Sequence, residues 1–351
     1  MNLKTLLLFS IVLFIGCKSK INTESKTAFD LIKIDTLFQD KISIRAILVD
    51  KDKVWYSADK NRFGFYDLKT NTKTERKITK DTLQLEFRSI AQTTEAIFVL
   101  SVANPALLYK INKTDLVPKL VYQENNEKVF YDSMKFWNDK DGIAIGDPTD
   151  NCFSLLLTTD GGTTWRKIPC DKLPKIADGE AFFAASNTNI NVKDGKIFIV
   201  SGGKKSRLFV SEDKGMSWKT FETPIVQGEA MTGIFTADFF NQKIGFIAGG
   251  NYDKPLDNAA NKALTIDGGK TWKLMAVNES FGYASCIKFV PNNKGNELVA
   301  VGTSGVFYTN TQGNSWDKVN NDKDLYTIRF LNENTAFAAG RNKMIRIDFK
   351  K

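Results

Sequence analysis

Apolar residues in this chain come in short runs, and a turn separates each run from the next. Four of the runs read "FSLLLT", "SRLFVS", "NKALTI" and "GVFYTN", and the turn after each leads into a shorter run: "RKI", "KTF", "KLM" or "DKV". Short runs rich in β-branched and aromatic residues are typical of strands that pack on a pleated surface. The chain also holds 26 Phe and 24 Gly, which fit many short strands better than long helices. The pattern therefore predicts an all-β protein built from hairpins.

The turn that joins the two strands of these hairpins recurs along the chain. Each copy holds five residues at fixed spacing. They are a Ser or Thr, an Asp (replaced in the last copy), a Gly, a second Ser or Thr, and a final Trp. The Asp carboxylate of such a turn accepts hydrogen bonds from nearby backbone N–H groups, and Gly tolerates a positive φ. We therefore expect Asp160, Asp213 and Asp267 to hold the fold and not to take part in catalysis. The copies are "TTDGGTTW" (158–165), "SEDKGMSW" (211–218), "TIDGGKTW" (265–272) and "TNTQGNSW" (309–316), in which Thr311 replaces the Asp.

The spacing of the turns predicts how the hairpins assemble. Successive Trp residues of the turns lie 53, 54 and 44 residues apart, a period typical of propeller blades with about four strands each. Two upstream units, 45–78 and 88–122, keep the strand rhythm without the turn, and 326–349 supplies three more strands. The segment 29–38 would supply the missing fourth strand and close the ring, which leaves no sheet edge exposed. We therefore predict a seven-bladed β-propeller as a single domain, 29–349.

The N-terminus has the pattern of an export signal. Lys4 precedes the apolar run 6–15, which is too short to span a bilayer. The run ends in "FIGC", which resembles the lipobox of bacterial lipoproteins, where a small residue precedes the Cys that receives a lipid. The resemblance implies a signal peptide over 1–16, lipidation of Cys17 and a polar tether over 17–28. It also implies a place in the bacterial cell envelope, on the outer membrane, facing the periplasm or the surface; the alternative is a plain signal peptide with a chance Cys.

Charge and composition exclude several classes of function. The net charge is +9, but most of the cations are Lys residues scattered singly, and no basic stripe of the kind that binds nucleic acid is visible. The chain has no His and no CxxC, which removes the usual zinc sites and every His-dependent triad. No GxGxxG supports a dinucleotide cofactor. We therefore expect no nucleic-acid partner, no metal and no cofactor.

Three of the four cysteines lie in the region predicted to fold. Cys152 and Cys170 bracket the first repeated turn, and a hairpin register that pairs Phe153 with Pro169 also pairs these two cysteines. Opposed residues of an antiparallel pair have Cβ atoms about 4.5–5.5 Å apart, so a modest adjustment brings them to the roughly 3.5–4.5 Å of a disulfide. Export supplies an oxidising compartment. We predict a Cys152–Cys170 disulfide with Cys286 as a buried free thiol, although a slip of one residue in register would separate the pair.

The mouth of the central channel is the usual site of a propeller, because the first residue of each innermost strand reaches it. Aligning the blades on their first apolar residue and stepping back two places gives a ring that holds two Arg, two carboxylates and a Tyr. Loop residues Asp147 and Glu229 and the segment 251–262 would roof the same mouth. The ring consists of Arg45, Arg88, Asp132, Glu180, Thr232, Ser285 and Tyr326.

These residue types suggest two uses of the mouth. Paired arginines grip carboxylates, which makes Arg45 and Arg88, with Asp147 and Glu229, candidate ligand-binding residues. Facing carboxylates can have pKa values pushed apart for acid and base roles. The alternative is that arginines and carboxylates pair with each other and only close the channel. The candidate catalytic residues are Arg45, Arg88, Asp132, Glu180 and Tyr326.

The repeated turn is identified as the Asp-box of BNR-repeat propellers. Sialidases of this kind use three arginines, a Tyr–Glu pair and an Asp acid, and Arg45, Arg88, Tyr326 and Asp132 are of the right types. A third ring Arg and the "RIP"-type motif are absent. The sialidase-like resemblance implies a glycan-active enzyme, a glycoside hydrolase or lyase, or a non-catalytic lipoprotein that binds an acidic glycan.

A second resemblance covers most of the chain. The stretches "GEAFFAASNT", "AGGNYDKPLDNAANKALTIDGGKTW" and "GYASCIKFVP" are similar to those of the photosystem II assembly factor-like propellers, a group often given oxidoreductase or glycosyl hydrolase names. This resemblance implies an assembly or interaction scaffold that binds a protein partner on one propeller face. We expect the chain to act as a monomer.

Overall fold

The computed structural model describes residues 31–350, and side chains from 32 to 349. The predicted signal peptide, the lipidation site Cys17, the tether and the first two residues of the predicted domain lie outside this range. The described chain is all-β apart from one short 3-10 helix, Cys170–Lys172. Within it, no helix has the length and hydrophobicity that crossing a membrane requires.

Most strands are short, and those in the middle of the sheets, such as β6, β10, β20 and β24, are buried along their whole length, as the runs of apolar residues predict. In chain order they begin with β1 Leu31–Asp50, β2 Lys53–Ala58, β3 Arg62–Asp67, β4 Thr72–Lys77, β5 Phe87–Gln92, β6 Ala96–Ser101, β7 Ala106–Asn112, β8 Pro118–Glu124, β9 Tyr131–Phe136, β10 Gly142–Gly146, β11 Ser154–Thr158, β12 Arg166–Lys167, β13 Glu180–Ala181 and β14 Ile190–Lys193. They continue with β15 Lys196–Val200, β16 Gly202–Gly203, β17 Arg207–Ser211, β18 Lys219–Glu222, β19 Thr232–Phe239, β20 Gly245–Asn251, β21 Lys262–Thr265, β22 Lys273–Leu274, β23 Cys286–Phe289, β24 Leu298–Gly302, β25 Gly305–Thr309, β26 Asp317–Asn320, β27 Leu325–Asn332 and β28 Thr335–Lys350.

Across residues 31–350 these strands form six antiparallel sheets, so the prediction of seven blades is wrong. Four sheets have four strands: β5 to β8, β9 to β12, β14-β15-β17-β18, and β23 to β26. The other two sheets have six strands each. Their orders are β13-β16-β19-β20-β21-β22 and β27-β28-β1-β2-β3-β4. The count was wrong because β1 is continuous. Its first half pairs with β28 and its second half with β2, so two predicted blades are one sheet.

The point at which β1 changes partner is fixed by a buried arginine. The register of β1 shifts between Gln39 and Ser43, where pairing with β28 ends. Arg62 is 6% exposed, and its Nη2 donates to the Lys41 carbonyl oxygen at 2.8 Å and to Asp59 Oδ1 at 2.7 Å. Because Asp59 Oδ1 also accepts from the Ser43 amide at 3.0 Å, the irregular segment has its polar groups satisfied and can bend without losing hydrogen bonds.

Among residues 31–350 seven inner strands, of which β1 and β27 belong to the same six-stranded sheet, contact one another around a central channel. The contacts run from β1 through β5, β9, β14, β19, β23 and β27 and return to β1. The strands run in the same direction along the channel, so their first residues meet at one mouth and their last residues at the other. These two mouths organise the rest of the molecule.

The repeated turns are self-bonded, as their sequence predicts. Asp160 Oδ1 accepts from the amides of Thr163 and Thr164, both at 3.0 Å, and Asp160 Oδ2 accepts from Thr164 Oγ1 at 2.7 Å. Partial burial raises the pKa of Asp160, but these hydrogen bonds outweigh it and lower the pKa to about 2. The turn joins β11 to β12, the outermost strand of its sheet. It therefore lies on the rim, far from the channel.

Each repeated turn also packs against the preceding sheet. A Cβ at Gly162 would overlap the ring of Phe98, which belongs to the neighbouring sheet, and Gly162 has φ +70°. Trp165 of the same turn is 8% exposed, and its ring centroid lies 5.6 Å from that of Phe136 and 6.3 Å from that of Phe98. The Gly and the Trp of the turn therefore help to hold two sheets together.

Cys152 and Cys170 are bonded to each other, with Cα atoms 5.5 Å apart. The register that led to this pairing is wrong by one residue, because Leu156 pairs with Lys167 in the observed ladder. The bond forms nonetheless because the chain leaves the ladder after Ile168 and turns into the 3-10 helix. The turn of the helix, not the ladder, brings the two sulfur atoms together.

Candidate functional site

A segment between β13 and β14 closes the central channel. We call residues 183–189 the plug, because their hydrogen bonds reach inner strands on several sides of the channel. Asn187 Nδ2 donates to the Ile90 carbonyl oxygen of β5 at 2.7 Å, and Asn187 Oδ1 accepts from the Met134 amide of β9 at 2.8 Å. The plug separates the two mouths.

Two arginines hold the carbonyl groups of the plug. Arg45 Nη1 donates to the Ala185 carbonyl oxygen at 3.5 Å, and Arg329 Nη2 donates to the Ser186 carbonyl oxygen at 2.9 Å. On a third side Ser186 Oγ donates to the Ser285 carbonyl oxygen at 2.6 Å. No sequence pattern predicts the plug, because its backbone carbonyls and its Ser, Asn and Thr side chains bond to several different strands and leave no periodicity.

The mouth at the beginning of the inner strands, which we call the arginine mouth, holds a pocket of about 220 Å³. Its wall combines cationic and aromatic side chains. Phe183 of the plug stacks on Phe235, with ring centroids 3.8 Å apart, and Tyr283 meets Phe235 edge-on at 4.8 Å. The lining residues are Arg45, Arg88, Phe183, Ala184, Ala185, Met231, Phe235, Tyr252 and Tyr283.

Arg45 has hydrogen-bonding capacity left over. Its guanidinium carbon lies 4.3 Å from the centroid of the Tyr326 ring, a cation–π contact that fixes the side chain. Its Nε is buried and has no hydrogen-bond partner in the described chain, and no carboxylate pairs with it there. Such a guanidinium can bind an incoming anion.

Arg88 forms an ion pair with Glu86, the residue just before strand β5. Its Nε and Nη2 donate to the two carboxylate oxygens of Glu86 at 2.8 and 3.1 Å. The Arg88 side chain is 27% exposed and that of Glu86 is 35% exposed, and an ion pair so open to water contributes little stability. Glu86 can therefore be exchanged for another carboxylate at low free-energy cost.

Two carboxyl groups lie beneath the arginine mouth, and both resist ionisation. Asp132 is fully buried, so desolvation, followed by repulsion from Asp147, raises its pKa well above the ordinary value. Arg88 and nearby amides oppose this rise, although neither oxygen of Asp132 accepts a hydrogen bond of good geometry from residues 31–350. Burial also raises the pKa of Asp147 to about 6, against the hydrogen bond from the Phe182 amide at 2.7 Å.

Glu180 lies away from the channel, contrary to the predicted ring. It belongs to the short strand β13, which pairs with β16 at the edge of the β19 sheet, whereas the inner strand of its region is β14. The carboxylate is bound on both oxygens by Arg207, with Nε at 3.0 and 3.1 Å, and it also accepts from the Ala177 amide at 2.9 Å. The alignment was misplaced because Phe182 resembles the first apolar residue of a strand.

The remaining predicted residues have structural contacts. Thr232 and Ser285 are 2% exposed and donate to backbone carbonyl groups, at 2.8 Å to that of Glu229 and at 2.8 Å to that of Tyr326. The exposed carboxylate of Glu229 accepts from Asn251 Nδ2 at 3.1 Å, so it helps to anchor the loop 251–262. Of the predicted ring, Arg45 and Arg88 line the pocket, Tyr326 lies against Arg45, and Asp132 is buried beneath them.

The loop 251–262, predicted to roof this mouth, forms one side of the pocket through Tyr252. Tyr252 is 43% exposed and meets Tyr283 edge-on, with ring centroids 5.1 Å apart. The loop is held because the Pro255 carbonyl oxygen accepts from the Tyr283 amide at 2.8 Å. Tyr283, in the stretch "FGYAS", completes this wall and was not among the residues predicted for the mouth.

The closed ring of antiparallel sheets around a channel defines a β-propeller. No protein-family model matches the chain, and no curated protein matches its sequence significantly. Among solved structures, "YCF48 bound to D1 peptide" superposes with a TM-score of 0.66 at 12% identity, over 93% of this chain and 97% of that one. "YCF48 from Cyanidioschyzon merolae" superposes with a TM-score of 0.63 at 10% identity, over 90% and 98%. The WD40 β-propeller domain of Doa1 gives 0.64 at 14%, over 92% and 98%. At these identities the likeness shows the shared propeller fold.

Proposed function

We propose that this propeller is an interaction scaffold that binds an extended, acidic peptide segment of a partner protein at the arginine mouth. The observation that carries the proposal is the guanidinium of Arg45, which lines the pocket, is fixed on Tyr326 and pairs with no carboxylate in the described chain. The YCF48 propeller with its D1 peptide is a similar fold in complex with a peptide, and it supports this class of ligand.

The pocket offers two kinds of contact to such a peptide. Arg45 can donate two parallel hydrogen bonds to a carboxylate. Such charge-assisted pairs are stronger than hydrogen bonds between neutral groups. Phe235, Tyr252 and Tyr283 supply aromatic surface for an adjoining apolar side chain. A rim of exposed residues, of which Leu256 is 78% exposed, extends the surface beyond the pocket along the loop 251–262.

Glycan chemistry is the weaker reading of the same mouth. Most glycosidases use two carboxyl groups that reach the substrate from opposite sides, and sialidases use a Tyr–Glu pair with an Asp acid, so both need a Glu or Asp that contacts the substrate. Glu180 is held by Arg207 away from the channel, and Asp132 is fully buried beneath the pocket. The geometry of these carboxyl groups therefore favours binding over catalysis.

A peptide library tests the proposal. Labelled peptides of varied sequence, each with a free or an amidated C-terminus, are titrated by fluorescence anisotropy with the full chain. We expect binding to acidic or free-carboxylate peptides, weakened about tenfold or more by Arg45→Ala, because a charge-assisted hydrogen bond is lost. Arg166→Ala removes an exposed arginine on the outer strand β12 and is the matched control. Binding only to acidic oligosaccharides, or equal peptide affinity of Arg45→Ala and wild type, would contradict the proposal.

We propose further that Cys17 anchors the propeller to a bacterial envelope membrane through a lipid. The support is the "FIGC" stretch and its place directly after the apolar run 6–15. The polar residues that follow would set the propeller at a distance from the membrane, where a partner protein can reach it.

A further inference from the structure

The mouth at the far end of the inner strands, which we call the lysine mouth, is lined by cationic and apolar side chains and one carboxylate. It holds a cavity of about 370 Å³, which is within the range of small-molecule sites. Consecutive inner strands place charged residues there near their last positions. The charged lining residues are Lys135, Lys193, Asp238, Lys288 and Arg329, and the apolar ones are Leu48, Val49, Phe240, Phe289, Val290, Pro291 and Phe330.

The charges of the lysine mouth do not balance. Asp238 is the one carboxylate among its lining residues, and it is already used. Its Oδ1 accepts from Lys288 Nζ at 2.5 Å and its Oδ2 from the Phe289 amide at 2.8 Å. Arg329 donates to neutral groups, namely backbone carbonyls and Thr327 Oγ1 at 2.9 Å. With its lysines protonated, the mouth therefore carries an excess of positive charge.

Two of the lysines make no direct polar contact with another described residue. Within residues 31–350 neither Lys135 nor Lys193 makes a side-chain hydrogen bond or an ion pair, although both are only partly exposed. Desolvation, followed by repulsion from Lys288 and Arg329, lowers the pKa of Lys135 to about 7, while Asp238 opposes the change. Placing like charges together away from water is costly. A bound anion would remove this cost.

We propose that the lysine mouth binds a small organic phosphate, with its phosphate group between Lys135, Lys193 and Lys288 and its organic part against the phenylalanines. Three ammonium groups from three strands suit a tetrahedral anion with more than one negative charge, since lysine acts as a compact point charge without a preferred plane. A single carboxylate would neutralise only part of the excess. The cavity is also larger than one phosphate needs, and Phe240, Phe289 and Phe330 line the remaining space.

This site is independent of the proposed peptide site, because the plug lies between them. Arg329 donates to the plug from the side of the lysine mouth, at 2.9 Å to the Ser186 carbonyl oxygen. Its guanidinium is thereby held in place. It adds positive potential to the mouth while the lysines make the direct contacts.

Isothermal titration of the full chain with phenyl phosphate at pH 6.5 tests the proposal, with inorganic phosphate as the smaller probe. We expect both to bind, phenyl phosphate more tightly because its ring is buried. Lys135→Met and Lys193→Met should each weaken binding about tenfold or more, because each removes one charged contact. Lys119→Met, on the exposed strand β8, should bind as wild type does. Absence of binding in the wild type, or unchanged affinity in both mouth variants, would overturn the proposal.

Two further measurements sharpen the test. Binding at pH 7.5 should take up protons, because the anion favours the charged form of Lys135 in spite of repulsion from Lys193, Lys288 and Arg329. Proton uptake is measured as a dependence of the binding heat on the ionisation enthalpy of the buffer. Co-sedimentation with vesicles containing phosphatidic acid identifies the source of the phosphate. Vesicle binding that phenyl phosphate displaces indicates a lipid headgroup, and binding of phenyl phosphate alone indicates a soluble ester. Vesicle binding that persists in Lys135→Met and Lys193→Met, with no binding of phenyl phosphate, would contradict the site.

Discussion

Single residues in this propeller show how position within the channel changes the behaviour of a charge. Arg45 and Lys135 both belong to inner strands, and neither pairs with a carboxylate in the described part of the chain. A guanidinium does not lose its proton in proteins. Lys135 is different, since burial and neighbouring cations bring its pKa to about 7. Its charge therefore depends on pH under ordinary conditions.

The titration of Lys135 predicts a pH-dependent stability. The pKa falls from 10.5 to about 7 on folding, so between these values the unfolded chain binds more protons than the native one. The free energy of unfolding should then rise with pH across this window, by at most about 1.4 kcal/mol per pH unit. Lys135→Met should be more stable than wild type near pH 7 and should lack this increment.

Thermal melts of wild type, Lys135→Met and the surface control Lys119→Met between pH 6.5 and 9.5 measure the effect. The quantity to compare is the change in stability with pH, wild type minus Lys135→Met. Other titrating groups contribute equally to both proteins and cancel in this difference. Parallel curves for wild type and Lys135→Met would show that Lys135 is charged throughout.

At the scale of the elements, the four repeated turns form a natural comparison series. In three of them an Asp accepts the backbone amides, whereas in the fourth Thr311 Oγ1 accepts from the Ser315 amide at 3.0 Å. The backbone is the same, because Gln312 has φ +54° where Lys214 has φ +61° in the second turn. The fourth turn is therefore shaped for the Asp that it lacks.

Thr311→Asp should stabilise the protein. The carboxylate would accept from the amide of Ser315 and from Ser315 Oγ, and charged acceptors make stronger hydrogen bonds, so we expect a gain of about 0.5–1.5 kcal/mol in the free energy of unfolding. Chemical denaturation of Thr311→Asp measures the gain, and Thr311→Asn, which has the same shape without the charge, is its control. A loss of stability in Thr311→Asp would mean that the fourth turn is bound differently from the other three.

The elements also show what a single sequence could and could not predict. The strands and the repeated turns were predictable because short apolar runs and Asp or Gly in a turn are local properties. The number of sheets was not, since a strand of 20 residues that changes partner at an arginine-held irregularity leaves no break in the sequence. The plug was missed for a related reason: its hydrogen bonds join residues such as Asn187 and Ile90, which are far apart in the chain.

The candidate site divides in the same way. Arg45 and Arg88 were found at the mouth because counting from the first apolar residue works where the inner strand is regular. The same count failed at Glu180, where the chain makes the edge strand β13 and the plug before β14 begins. The aromatic wall from Tyr252 and Tyr283 came from loops, in which spacing carries no information about position.

At the scale of the whole molecule, the proposed anchor predicts where the protein is found. Cys17→Ser should move the protein from the membrane fraction to the soluble fraction, because the variant lacks the thiol that would receive the lipid. Detergent partitioning of cells that express each form measures the change, and Cys286→Ser, which alters a buried free thiol, is the control. Equal partitioning of Cys17→Ser and wild type would contradict lipidation at this site.

The pairing of β1 with β28 has a consequence for the order in which the protein is made. The ribosome delivers β1 first among the described strands and β28 last, yet Ile32 must pair with Phe349 to complete the ladder between them. Until then the growing chain has two open sheet edges, which attract other strands. Such a long-range pairing is slow to form. The propeller is therefore most exposed to aggregation between the start of synthesis and the closure of the ring. A partner or chaperone that covers β1 would act during that interval.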